Sequence, residues 1–187
     1  MIRHGRLGAG ISLLALLVGT TTVGAAGPAH ALGGATLNCT GWSYTTYSPG
    51  LTNTVQPVTV TVDGDLGLVD DHSPTGTCLA LGTAATAGER DVTAVLTIGC
   101  NQLLTETGVE TIAWNDGQST SFQFTATAAH TSATVVLTET GTVTSGEFLG
   151  EHVVETFTAP NTAFLDCATP AGVTSLNYAT VLTILPV

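Results

Sequence analysis

A run of regularly spaced glutamates is the first candidate for chemistry in this sequence. Glu147, Glu151 and Glu155 recur every four residues, and glycosidases use two carboxyl groups about 5–9.5 Å apart. The same spacing places three residues on one face of a strand, where exposed charges discourage edge-to-edge aggregation. Because the chain has few other charges, we interpret the three glutamates as exposed strand charges, with a catalytic carboxylate pair as the alternative.

A second acidic cluster has residue types that bind calcium. Five potential ligands fall within residues 63–72: Asp63, Asp65, Asp70, Asp71 and His72. Calcium takes oxygen ligands and occurs in extracellular modules. The helix-flanked calcium loop ends in a glutamate, whereas Pro74 stands at that position when the loop is counted from Asp63. We interpret the cluster as an Asp-rich turn, with a weak calcium site as the alternative, and predict no metal site and no cofactor.

Nucleophilic catalysis requires a serine or cysteine beside a base that a third group orients. The candidate bases are His72, His130 and His152, but no partner motif accompanies them. Ser119 and Ser121 flank an ordinary hairpin rather than a nucleophile elbow. The sequence therefore predicts a protein that is not an enzyme.

The first 31 residues predict a secretory signal peptide. Arg3 and Arg6 precede an apolar run over residues 7–18, and small residues lead to a cleavage pattern ending at Ala31. The apolar run is shorter than the ~20 residues that cross a bilayer. We expect cleavage after Ala31, a mature domain of residues 32–187 without a membrane span, and a secreted, extracellular or cell-surface location.

The chain is strongly acidic and contains no lysine. Its formal net charge is −11, and removal of residues 1–31 leaves Arg90 against fourteen acidic residues. This balance excludes nucleic acids and acidic lipid surfaces as partners, because a protein binds either of them through a cationic patch. The chain has too few basic residues to form one. A hydrophobic content of 43% excludes a disordered acidic tail. The mature chain is therefore predicted to fold.

The cysteines predict two disulfides. All four, Cys39, Cys78, Cys100 and Cys167, follow the leader of a chain addressed to an oxidising compartment. No two have the short spacing of structural zinc ligands. Three pairings are possible, and joining near neighbours first favours Cys39 with Cys78 and Cys100 with Cys167.

Aromatic residues provide the candidate binding surface. Trp42 and Tyr44 share one face of a predicted strand and Tyr47 lies on the other. Tryptophan and tyrosine dominate binding hot spots, so these three residues are candidates to contact a partner. The alternative is core packing, which we favour for Trp42 and Trp114 because sandwich domains commonly bury a tryptophan.

Alternating apolar and polar residues predict β-strands along the mature chain. Valines at 58, 60 and 62 alternate with threonines, and the same pattern holds over 92–98 and 121–127. Turns are predicted at residues 48–50, 63–64 and 115–117, and further strands at 134–144, 147–157 and 174–185. A strand is preferred to a helix over 147–157 because of its valines. We predict an all-β fold, a single antiparallel β-sandwich with immunoglobulin-like architecture.

Several turn and strand-end segments resemble those of uncharacterised small secreted actinobacterial proteins, which are Thr/Gly-rich β-sandwiches. The segments are 39–41 (CTG), 47–52 (YSPGLT), 114–117 (WNDG) and 141–146 (GTVTSG), followed by Phe148 and Gly150. The resemblance implies the fold and export. It supplies no activity and no catalytic or ligand-binding residue, because none is known for that group.

These observations predict a secreted, non-catalytic binding or cell-surface module. Its expected partner is an extracellular protein or a polysaccharide, since rigid sandwiches display loops that suit recognition. One alternative is a protease inhibitor that presents the loop Thr83–Arg90. The other is a carrier of an apolar small molecule, because the composition is similar to that of the enediyne apoproteins. Those proteins have short cysteine loops, which this sequence lacks.

Overall fold

The computed structural model describes residues 34–67, 75–102 and 107–187. Within them the chain forms nine strands and one 3₁₀ helix. The strands are β1 (Thr36–Leu51), β2 (Gln56–Leu66), β3 (Thr77–Leu81), β4 (Gly88–Ile98), β5 (Thr107–Trp114), β6 (Ser119–His130), β7 (Thr134–Gly146), β8 (His152–Pro160) and β9 (Val173–Leu185). The 3₁₀ helix, Asn161–Ala168, connects β8 to β9.

Eight of the strands close into an antiparallel β-barrel. Their order around the barrel is β1-β2-β4-β5-β6-β7-β8-β9, and β9 pairs again with β1. Strand β3 pairs with the first part of β1, residues 36–40, and β2 pairs with β1 from Gly41 onward. The all-β, antiparallel prediction is confirmed, but the strands form one closed sheet instead of the two stacked sheets of the predicted immunoglobulin-like sandwich. Both architectures bury alternate residues of each strand, so strand alternation does not distinguish them.

The predicted alternation is present in the strands. Val58, Val60 and Val62 point inward on β2, and the threonines between them point outward. The predicted hairpin over residues 115–117 is also confirmed, with Trp114 accepting a hydrogen bond from the Gly117 amide. Sequence parity therefore identifies which side chains occupy the barrel interior.

Some of the predicted boundaries are wrong. Residues 48–50 and 63–64 lie within β1 and β2, which run on past them. Residues 147–150 form a turn in which Phe148 has φ 63°, and the strand predicted over 147–157 begins at His152. The 3₁₀ helix was not predicted. Long strands are needed to tilt around a closed barrel, and their pairing overrides local turn preferences.

The predicted disulfide pairing is confirmed. Cys39 lies opposite Cys78 in the β1–β3 pair and is bonded to it. Cys100, just beyond β4, is bonded to Cys167 in the 3₁₀ helix. Each disulfide therefore lies near one end of the barrel interior.

Among the described residues, no helix has both the length and the apolar character needed to cross a membrane. The predicted signal peptide, and Asp70, Asp71 and His72 of the acidic cluster, fall outside the described residues.

Candidate functional site

The barrel interior contains two apolar clusters separated by a polar layer. One cluster includes Tyr47, Ile98, Phe157 and the Cys100–Cys167 disulfide. The other includes Leu37, Trp114, Phe122 and the buried half of the Cys39–Cys78 disulfide. The residues of the polar layer are buried and lie between the clusters along their strands: Ser43, Arg90, Glu110, Glu139, Glu155 and Thr180. The interior is therefore not a uniform hydrocarbon core.

Arg90 is the centre of the polar layer. Its Nη1 donates to Glu110 Oε1 at 2.8 Å and to Glu155 Oε1, and its Nη2 donates to Ser43 Oγ. The guanidinium carbon lies 4.6 Å from the centre of the Phe157 ring, a distance suited to a cation–π contact. Burial by itself lowers the pKa of Arg90, but the charges of Glu110 and Glu155 raise it overall. Arg90 is therefore a permanent buried cation.

The carboxyl groups outnumber this cation. Burial raises the pKa of Glu155, which is completely inaccessible to solvent. The charge of Arg90 opposes this rise, and Glu110 and Glu139 add to it. Burial, followed by the charge of Glu110, raises the pKa of Glu139 to about 8. At neutral pH Glu139 therefore holds a proton, whereas Arg90 bonds Glu110 and Glu155.

An apolar cavity of about 310 Å³ adjoins the polar layer. All eight barrel strands contribute to its wall, which is mostly aliphatic and aromatic. Arg90, Glu110 and Glu139 form its charged part. A cavity of this size is at the lower end of the range for small-molecule sites, which are concave, mostly apolar and carry a few convergent polar groups.

The cavity reaches the gap between β4 and β5. Among the residues that the structure describes, these strands pair only at Gly88 with Trp114 and at Glu89 with Ala113. Past that point the inward residues Val92, Ala94 and Leu96 of β4 are half-buried, and Val109 of β5 is 65% exposed while also lining the cavity. The cavity therefore extends to where the described parts of β4 and β5 separate.

The aromatic residues that were predicted to form a binding surface lie on opposite faces of the sheet. Trp42 and Tyr44 lie on the outer face of β1, partly exposed, next to Asp65 and Asp63 of β2. Tyr47 lies inside the barrel, 7% exposed, and lines the cavity. Its hydroxyl lies 3.0 Å from the hydroxyl of Tyr178. The three residues therefore do not form one surface.

The two tryptophans occupy different environments. Trp114 is buried, as predicted, and its Nε1 donates to Thr120 Oγ1 at 2.7 Å. Core packing was also favoured for Trp42, but that side chain lies on the outer face.

The interpretation of the three regularly spaced glutamates as exposed charges is wrong. All three are buried. Glu155 belongs to a strand and points inward, whereas Glu147 and Glu151 lie at the turn before that strand. Thr83 Oγ1 donates to Glu147, and burial raises the pKa of both Glu147 and Glu151. The two other carboxyl groups of the polar layer, Glu110 and Glu139, were not predicted as site residues.

Two further predicted segments have a different environment from the one expected. Asp63 and Asp65 lie on a strand instead of in a turn. The segment Thr83–Arg90 is not a projecting loop, since Ala85, Ala87 and Arg90 are buried. Arg90 is therefore inside the barrel and is not presented to a protease. His130 and His152 are exposed at strand ends.

Comparison of the chain with protein-family models, with curated proteins and with solved structures finds no match.

Proposed function

We propose that this protein is a non-catalytic binding protein that carries a small, mainly apolar molecule inside its barrel. The observation that supports the proposal is the cavity of about 310 Å³ inside the barrel, which has an aliphatic and aromatic wall and reaches the gap between β4 and β5. A monomeric domain fills its core to crystal-like density when nothing is to be bound. A cavity this large is therefore best explained by an occupant that recovers the missing contacts.

The disulfides support a location outside the reducing cytosol. Disulfides form and persist in oxidising compartments, and the bonds of Cys39 to Cys78 and Cys100 to Cys167 are consistent with export. We propose that the mature, oxidised domain is secreted and takes up or delivers its ligand outside the cell.

Titration with N-phenyl-1-naphthylamine, a neutral apolar dye that fluoresces when desolvated, tests the proposal directly. The oxidised protein is expected to bind one dye molecule saturably. Native mass spectrometry and solvent extraction of protein recovered from the growth medium then report whether a small molecule accompanies it.

Two variants on β4 locate the dye. Ala94 lines the cavity, whereas the neighbouring Thr93 is exposed on the outside. Ala94→Phe fills the cavity and is expected to abolish dye binding, and Thr93→Phe adds the same ring outside and is expected to bind like the parent. Absence of saturable binding in the parent, or equal binding by both variants, would refute the carrier proposal.

A second candidate function is surface recognition of an extracellular protein or polysaccharide. It is favoured by the partly exposed Trp42 and Tyr44, which are two residues apart on the outer face of β1, a geometry on which sugar rings can stack. Co-sedimentation with insoluble polysaccharides and cell envelopes tests it. Trp42→Ala is expected to stay in the supernatant while the parent pellets, and a parent that never pellets contradicts this function.

A further inference from the structure

The charged part of the cavity has one carboxyl group without a partner. Glu139 is 6% exposed and lines the cavity. Its Oε2 atom is buried and accepts no hydrogen bond from the described residues. An unsatisfied buried acceptor costs roughly 1–3 kcal/mol and calls for an explanation. Glu147, Glu151 and Glu155 each have such an oxygen too, but of these four glutamates Glu139 is the one that lines the cavity.

Arg90 is already occupied and does not satisfy this group. Its two terminal nitrogens bond Glu110, Glu155 and Ser43. The layer thus combines three carboxyl groups with one cation. An anionic ligand such as a fatty acid would bring a further acidic group to a layer whose one cation already bonds two carboxyl groups. The one unpartnered nitrogen of Arg90, Nε, lies against Gly64, which does not line the cavity. A purely apolar ligand would leave Glu139 unpaired.

A metal ion fits these carboxyl groups poorly. One oxygen from each of Glu110, Glu139 and Glu155 lies within 4.8 Å of the others. However, Arg90 Nη1 already bonds an oxygen of Glu110 and one of Glu155, so an ion would have to displace the guanidinium. Calcium also needs about six to eight oxygen ligands, whereas the adjoining wall is apolar.

An alkylammonium group fits better than either an anion or a metal ion. It carries one positive charge and up to three N–H donors, and its apolar body matches the aliphatic wall. We propose that the carried molecule is an amine, a primary or secondary ammonium on an apolar body, whose N–H groups donate to the carboxylates of Glu139 and Glu110 while the body fills the cavity. This inference rests on the proposed carrier function and specifies its ligand class.

Displacement of N-phenyl-1-naphthylamine by matched ten-carbon probes tests the assignment. Decylamine, decanol and decanoate share one apolar chain and differ only in the head group. Near pH 8 decylamine is expected to displace the dye at a concentration at least about tenfold below that of decanol, as for one charge-assisted hydrogen-bonded contact, and decanoate is expected to be the weakest.

The matched variants are Glu139→Gln and Glu89→Gln. Both remove one carboxylate, but Glu89 is exposed on the outside of β4. Glu139→Gln is expected to give decylamine and decanol equal affinity, while Glu89→Gln keeps the preference. Dye binding by each variant shows that its barrel and cavity are intact.

The pH dependence gives an independent readout. Glu139 is faced by Arg90 of β4, Glu110 of β5 and Glu155 of β8, and the ammonium must displace the proton that its carboxyl group holds below about pH 8. Decylamine affinity is therefore expected to rise roughly tenfold per pH unit up to about pH 8 in the parent. Decanol affinity is expected to stay flat, as is the affinity of Glu139→Gln for either probe.

The failure modes are distinguishable. If no dye binds, the carrier function itself fails. If the dye binds but decanol or decanoate equals decylamine, or Glu139→Gln keeps the preference, the amine assignment is overturned and the carrier function stands. Calcium chloride that blocks decylamine while raising the melting temperature would likewise overturn it in favour of a cation site.

Discussion

Gly64 lies directly opposite Arg90 in the β2–β4 pair, and its missing side chain is the space through which the guanidinium passes. Gly64 also pairs with Ser43 of β1. Arg90 therefore reaches across β2 and donates to Ser43 two strands away. A β-carbon at Gly64 would lie 2.6 Å from Arg90 Nε and 2.9 Å from its Cγ, which is closer than real contacts allow.

The substitution Gly64→Ala is expected to displace Arg90 and lower the free energy of unfolding by about 3 kcal/mol, the order of a broken buried ion pair. Urea unfolding measures the change. In an Arg90→Ala background both crowding atoms, Nε and Cγ, are gone, so Gly64→Ala is expected to cost less than about 1 kcal/mol. Equal costs in both backgrounds would show that the glycine is required for some reason other than the arginine.

Glu139 is expected to make stability fall as pH rises. Its pKa is raised from 4.5 in the unfolded reference to about 8 by burial and by Glu110, so its favourable contribution is complete below about pH 4.5 and is lost progressively up to about pH 8. The full difference is on the order of 5 kcal/mol. Glu139→Gln keeps the shape but cannot ionise. It is expected to match the parent near pH 4.5 and to exceed it near pH 8.

Urea unfolding of both proteins across this pH range measures that difference, and Glu89→Gln is the exposed control. A parent that gains stability relative to Glu139→Gln as pH rises would mean that Glu139 is stabilised as a carboxylate, contrary to what its burial predicts.

The polar layer could have been found from the sequence by extending strand parity to charged residues. Arg90 has the same parity as Val92 and Ala94, which were assigned to a buried face. Glu155 likewise shares parity with Val153 and Phe157. Charge by itself suggests exposure, yet residues 32–187 contain one arginine and no lysine. A lone cation at an inward position requires buried carboxylates beside it.

Closure of the strands into a barrel is harder to predict from the sequence. Whether β1 and β9 pair depends on the tilt and coil of long strands, which alternation does not encode. The turn signals at Asp63 and Gly64 were misleading for a specific reason. Gly64 leaves the space that the Arg90 side chain occupies. Asp63 and Asp65 lie on the outer face of β2, where they pair with Tyr44 and Trp42 of β1.

Removing the Cys100–Cys167 disulfide is expected to destabilise the cavity end of the barrel. The bond closes a loop of 67 residues, and its chain-entropy contribution is about 4 kcal/mol. Cys100→Ala/Cys167→Ala is therefore expected to unfold at much lower urea concentration. The comparison is Cys39→Ala/Cys78→Ala, whose bond anchors β3 to β1.

The second pair of substitutions is expected to expose β3 to proteases, since among the described residues β3 pairs only with β1. Mass mapping of the first cleavage sites distinguishes the two variants. Early cleavage at β3 in the Cys100→Ala/Cys167→Ala protein would contradict this division of roles.

Tyr47 is expected to act inside the barrel and not at its surface. Its hydroxyl and that of Tyr178 form a buried pair 3.0 Å apart, and burial raises the pKa of Tyr178 to about 12. Tyr47→Phe leaves the Tyr178 hydroxyl buried without that partner and is expected to cost about 1–2 kcal/mol in urea unfolding. Tyr47→Phe/Tyr178→Phe removes both polar groups, so it is expected to cost no more than the single change. Strictly additive costs, or loss of polysaccharide binding in Tyr47→Phe with unchanged stability, would assign Tyr47 to an external surface instead.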